Sequence, residues 1–208
     1  MMTDNKKISL KIFLLTIVFF ALSGRFLLAG SFPEAQKFIE GFGNEAIESL
    51  TENGLTDQVR MDRFRNLYKK DFATNAIARF VLGPYWKKSS KEDRKTFAKL
   101  LEDYVVISYA PKWKHYSGET FSVYDSIQEK NSRIILVRSD VTPNEGTPIK
   151  LDWRVGDDNP FRIYDIAVEG VSMIVTQRSE FMSVIKNGGG TIAPLITALE
   201  EKLKNLQQ

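Results

Sequence analysis

The chain contains no cysteine, and His115 is its single histidine among 208 residues. Without cysteine there is no disulfide, no thiolate metal site and no cysteine nucleophile. A hydrolase triad needs a base beside its nucleophile, usually histidine. His115, set between Lys114 and Tyr116, reads as an exposed structural residue instead. No His-x-x-x-His pair or carboxylate cluster has the spacing of a metal site. Gly188-Gly189-Gly190 follows no strand and precedes no Lys-Ser/Thr, so it reads as a helix end rather than a phosphate loop. Internal repeats and low-complexity tracts are missing as well. These absences leave no catalytic residue, no metal and no cofactor to assign.

Net charge is +3, but its source is local. Lys6, Lys7 and Lys11 precede the apolar run Ile12–Leu22, which has the length of a signal-peptide core. Arg25 argues against a membrane span of about 20 residues continuing through it. Ala21-Leu22-Ser23 and Leu27-Leu28-Ala29 are candidate cleavage sites, and Ser31 stands where a lipobox would need cysteine. We therefore expect a signal peptide over residues 1–30 and one domain over 31–208. Export of this kind is compatible with the lack of cysteine. Removing 1–30 takes away Lys6, Lys7, Lys11, Arg25 and Asp4, so the 29 basic and 26 acidic residues fall to equal numbers. A neutral domain lacks the excess of positive charge that nucleic acid requires.

Apolar residues at three- and four-residue spacings predict helices first. Pro33–Leu50 is one, with Phe38, Ile39, Phe42, Ala46, Ile47 and Leu50 on its stripe and Gly41 and Gly43 weakening it. Thr56 caps a second from Asp57 to about Lys70, with Val59, Phe64 and Leu67 inward and Arg60, Arg63 and Arg65 on a solvated face. Phe72–Leu82 is a third, with Ile77, Phe80 and Val81 on one side, stopped by Gly83-Pro84. Ser89-x-x-Glu92 forms a capping box for a long helix over about Ser90–Trp113, with Pro111 near its end.

After Gly118 the period becomes two. Thr120–Ile127, Arg133–Val141, Pro148–Val155 and Phe161–Val168 are four strand candidates on short loops, hence an antiparallel meander. Ile149, Leu151, Trp153 and Val155 face a core, while Lys150, Asp152 and Arg154 face the other way. Met173–Lys186 and a segment from Thr191 to about Leu206 complete the chain as helices, the tail reading as a lid. The fold class is α+β, a twisted antiparallel sheet of about four strands with helices on one face.

Asp165 and Glu169 flank the end of the last strand and form the one candidate acid/base pair. The competing reading pairs Asp165 with an arginine on the sheet. What remains is aromatic and aliphatic mass. Periodicity does not separate a filled core from an apolar pocket that a ligand completes.

A set of motifs makes that distinction. They are Tyr164-Asp165, Val168-Glu169-Gly170-Val171-Ser172-Met173 and Thr176–Phe181; Ala78–Gly83 with Tyr85-Trp86; Phe97–Tyr109; Tyr116–Thr120; and Lys150–Arg154. In this order they resemble the MlaC, or toluene-tolerance, family of periplasmic phospholipid-binding proteins over nearly the whole mature chain. Pro84, where the family has Arg or Gln, and a short loop before Phe161 depart from the pattern.

The resemblance implies an NTF2-like shape with an apolar pocket for acyl chains. It implies a periplasmic, monomeric carrier of phospholipid. The implied partners are an MCE-domain inner-membrane ABC transporter complex and an outer-membrane lipoprotein–porin complex. The expected pocket lining is Phe80, Tyr85, Trp86, Leu101, Tyr104, Tyr109, Leu136, Leu151, Trp153, Val168, Val171 and Met173. A hopanoid-type lipid, known from relatives' gene sets, is the alternative cargo. An NTF2-like pocket enzyme using Asp165 or Glu169 is the alternative activity.

Overall fold

Thr56, Ser90 and Ser172 each accept a hydrogen bond from a backbone amide three residues on and so start a helix. At Ser90 the bond is reciprocal, because the Ser90 amide also donates to Asp93. The capping box thus lies one residue later than Ser89/Glu92. Ser89 instead closes the preceding turn, its hydroxyl donating to the Tyr85 carbonyl.

The computed structural model describes residues 32–206, so the expected signal peptide lies outside the described residues. The helices are α1 (Pro33–Leu50), α2 (Asp57–Asp71), α3 (Thr74–Leu82), α4 (Pro84–Lys88) and α5 (Lys91–Tyr109), followed by a 3-10 turn over Ala110–His115. The expected extension of α5 to Trp113 fails at Pro111, which has no amide proton to donate to the helix ladder. Strands β1 (Thr120–Gln128), β2 (Ile134–Thr142), β3 (Ile149–Gly156), β4 (Arg162–Val168) and β5 (Val171–Ser172) follow, then α6 (Met173–Asn187) and α7 (Ala193–Leu206).

The strands form one sheet in chain order, each neighbour antiparallel. The fold is α+β, with a fifth short strand added to the expected four. Glu169 and Gly170, both at positive φ, make the two-residue turn between β4 and β5. Trp153, Val155, Val137 and Ile135 are buried on the sheet's inner face.

The apolar interior falls into three clusters. One is helical, built from α3, α5, α6 and α7 around Val81, Phe97 and Ile185. The second joins α1 to the inner face of the sheet through Ile39, Val137, Trp153 and Ile163. The third, Ala46, Leu50 and Leu67, ties α1 to α2. Gly43 lets α1 approach β1, because a Cβ there would meet the Phe121 ring at once.

Two expectations for α2 are corrected here. Val59 is exposed and Arg60 is buried. The Arg60 guanidinium reaches back to the Leu50 carbonyl at the end of α1, at 2.9 Å, and pairs with Asp57. Its stem covers apolar surface while its head satisfies a helix terminus. The tail, expected as a lid, packs as α7 on α5.

Candidate functional site

Where the three clusters fail to meet there is a cavity of about 360 Å³. Ile77, Val81 and Leu101 bound it from the helical side, Leu151, Trp153, Ile166 and Val168 from the sheet, and Ala46, Leu50, Phe64 and Leu67 from α1 and α2. Tyr104, Val105 and Tyr109 on α5 and Met173 and Ile174 on α6 close the remaining sides. A second cavity, about 540 Å³, lies against it under the β1–β2–β3 end of the sheet, with Phe121, Val141 and Ile149 in its wall. The two share Phe42, Ala46, Lys112, Trp113, Leu151 and Trp153. Both volumes lie within the range of roughly 300–1,000 Å³ typical of small-molecule sites.

The walls are mainly apolar. The Trp153 indole N–H donates to Ser139 Oγ at 2.8 Å and so has its partner within the protein. The Tyr164 hydroxyl donates to Asp158. Burial, aided by the charge of Glu102, pushes the Tyr68 phenol well above its ordinary value, and the partial burial of Tyr109 raises its phenol as well. Both therefore stay neutral at ordinary pH. Tyr109 and Lys112 are the lining residues that stand out into solvent, and they mark the mouth.

Asp165 lies in the cavity wall, yet its carboxylate is fully engaged. It accepts from Arg154 at 2.9 Å, from the Ser172 hydroxyl at 2.6 Å and from the Ile174 amide at 3.1 Å. Glu169 is exposed and accepts from the Lys150 amide at 2.6 Å. The two carboxylates are engaged separately: Asp165 caps α6 and Glu169 ties the β4 end to β3. His115 is exposed. No group of His, Cys, Asp and Glu suited to a metal ion occurs among the described residues.

Of the twelve expected lining residues, the fold brings Leu101, Tyr104, Tyr109, Leu151, Trp153, Val168 and Met173 to the first cavity. Five lie elsewhere. Leu136 is on the opposite face of β2 from buried Ile135 and Val137, and it pairs across the sheet with Arg154. Phe80 is exposed under the Arg178 guanidinium. Tyr85 and Trp86 pack on the outside of the helical cluster, each with a cation over its ring. Val171, at 54% exposure, sits just beyond the β4–β5 turn. Sequence reasoning missed the contribution of α1 through Phe42, Ala46 and Leu50, although their helical stripe was visible. It also missed Lys112 and Trp113, which the 3-10 turn swings into the wall.

The family model described as MlaC protein matches residues 41–201. The chain belongs to the MlaC family. A relative from Haemophilus influenzae, the intermembrane phospholipid transport system binding protein MlaC, is 27% identical over 125 residues. That match covers 58% of this chain, and the chain spans 58% of that relative's length. Among solved structures, the phospholipid-binding protein from Ralstonia solanacearum, in complex with a phospholipid, superposes with a TM-score of 0.76 at 19% identity. The match covers 84% of this chain and 99% of that one, so this MlaC family member shares its α+β fold.

Proposed function

We propose that this protein is a periplasmic phospholipid carrier whose acyl chains lie in the cavity between the helices and the sheet. The observation that carries this reading is the apolar cavity itself, found in a member of the MlaC family. Two acyl chains of about fifteen methylenes cost on the order of 20 kcal/mol to expose to water, at about 0.8 kcal/mol per methylene. Free lipid therefore crosses an aqueous gap too slowly to be useful. A dry pocket makes exchange with a bilayer nearly neutral, and no covalent step is needed in the carrier. The family name of the Haemophilus relative and the ligand of the Ralstonia protein support this cargo. On this reading the chain is a monomer that meets an MCE-domain ABC transporter complex at the inner membrane and a lipoprotein–porin complex at the outer membrane. Direction is then set by those partners.

Organic extraction of protein purified from bacterial cells, followed by mass spectrometry, tests the cargo. The expected result is glycerophospholipid near one per protein. Recovery of hopanoid alone would replace the cargo, and a folded protein that carries no lipid and takes up none would end the carrier reading.

A further inference from the structure

The two cavities are separate lobes that meet along one shared wall, and Lys112 is the one charged side chain that lines both. The acidic side chains that line the two cavities are already committed. Asp165 accepts three hydrogen bonds. Glu119 accepts from the Ser117 amide at 2.8 Å and from its hydroxyl. Lys114, two residues on from Lys112, pairs with Asp57 at 3.6 Å. Lys112 is exposed and forms no ion pair among the described residues. Its ammonium is held 4.7 Å from the centre of the Tyr109 ring, at the mouth of the first lobe.

A ligand that matches this arrangement is forked, with two apolar arms leaving one anionic point. Resting on the carrier reading above, we infer that Lys112 binds the phosphate of the lipid headgroup and so selects phospholipids over uncharged lipids with the same tails. An ammonium is a compact point charge that suits a phosphodiester without demanding one orientation. The Tyr109 ring restricts where that charge sits, because the ring face attracts it. The tails supply most of the affinity, and Lys112 supplies discrimination at the mouth. Free phosphate is an anion too but has no tails, so it competes poorly.

The test uses delipidated full-length mature protein and phosphatidylcholine vesicles. These carry a trace of fluorescent phosphatidylglycerol or of fluorescent diacylglycerol with identical tails. Uptake is compared for wild type, Lys112→Met and Lys112→Arg. Met keeps an unbranched apolar stem, so the wall is retained and the charge is lost. We expect Lys112→Met to lower phosphatidylglycerol uptake about tenfold while leaving diacylglycerol uptake within twofold, with Lys112→Arg close to wild type. Inorganic phosphate at the same molar concentration as the labelled lipid is expected to displace neither. Equal losses for both lipids would make Lys112 a packing residue, and no loss for either would remove it from the site; both outcomes overturn the inference. Displacement of the lipid by inorganic phosphate alone would also overturn it. If wild type takes up neither lipid, the carrier reading fails and this inference fails with it.

Discussion

Asp165 accepts hydrogen bonds from β3, from Ser172 and from the first turn of α6, so three elements meet on one carboxylate. Arg154, its ionic partner, is itself shared with Glu129. Replacing Asp165 by Ala removes these bonds and leaves the Arg154 guanidinium and the helix terminus short of an acceptor. The expected loss is about 2–3 kcal/mol, read as a lower midpoint in urea unfolding. A change below about 0.5 kcal/mol would contradict the corner role. Asp71 is the opposite case. It is buried, its Oδ2 has no hydrogen-bond partner within the protein, and burial raises its carboxyl above the usual range. A folded-state value raised above the unfolded one means that ionised Asp71 destabilises the fold. That cost is fully present above the raised value and vanishes below the ordinary carboxylate value near 4. Asp71→Asn is therefore expected to melt higher than wild type at neutral pH, with the gap closing as the pH falls through that window. A gap independent of pH, or of the opposite sign, would show that the charge is not the cause.

Helix and strand identities were legible because the period of apolar residues changes from 3.6 to 2 near Gly118, and the structure changes there too. Element ends were read less well. The α5 cap slipped by one residue because Ser89 and Ser90 are both capping residues with an acidic residue three positions on; only the backbone geometry chose Ser90. Ser90→Ala should accordingly cost about 1 kcal/mol in thermal unfolding, while Ser89→Ala should leave α5 capped. The face of β2 was misread for a different reason. Ile134, Ile135, Leu136 and Val137 form a run with no alternation, so hydropathy assigns neither parity to the core. The register decides it by placing Val137 opposite Trp153 and Leu136 opposite Arg154. The pocket lining was only half legible on the same grounds. Tyr104 and Tyr85 are similar side chains on helical segments that pack against the same cluster, and what separates them is that Tyr104 lies on the side facing the cavity. Lys112 and Trp113 gave no periodic signal, because the 3-10 turn that aims them begins where Pro111 ends the helix.

At the scale of the whole molecule, the interior is divided so that α3, α5, α6 and α7 make their own core while α1 packs on the sheet. The space between is bounded by two cores, each packed within its own elements. Filling it should therefore remove binding without removing the fold. Val168→Trp in the first lobe and Val141→Trp in the second are each expected to lower phospholipid uptake from vesicles at least about tenfold. The added bulk is expected to cost about 1–3 kcal/mol of stability. Unchanged uptake in a folded Val168→Trp protein would place the lipid elsewhere. Where the tails lie is read most directly by photocrosslinking with a phospholipid that carries a diazirine near the end of an acyl chain, followed by mapping of the modified peptides. Adducts are expected on the α5 segment around Leu101–Tyr109 and on β3 and β4 at Leu151, Trp153, Ile166 or Val168. Adducts confined to the exposed side chains Tyr124, Val171 and Val175 would contradict it.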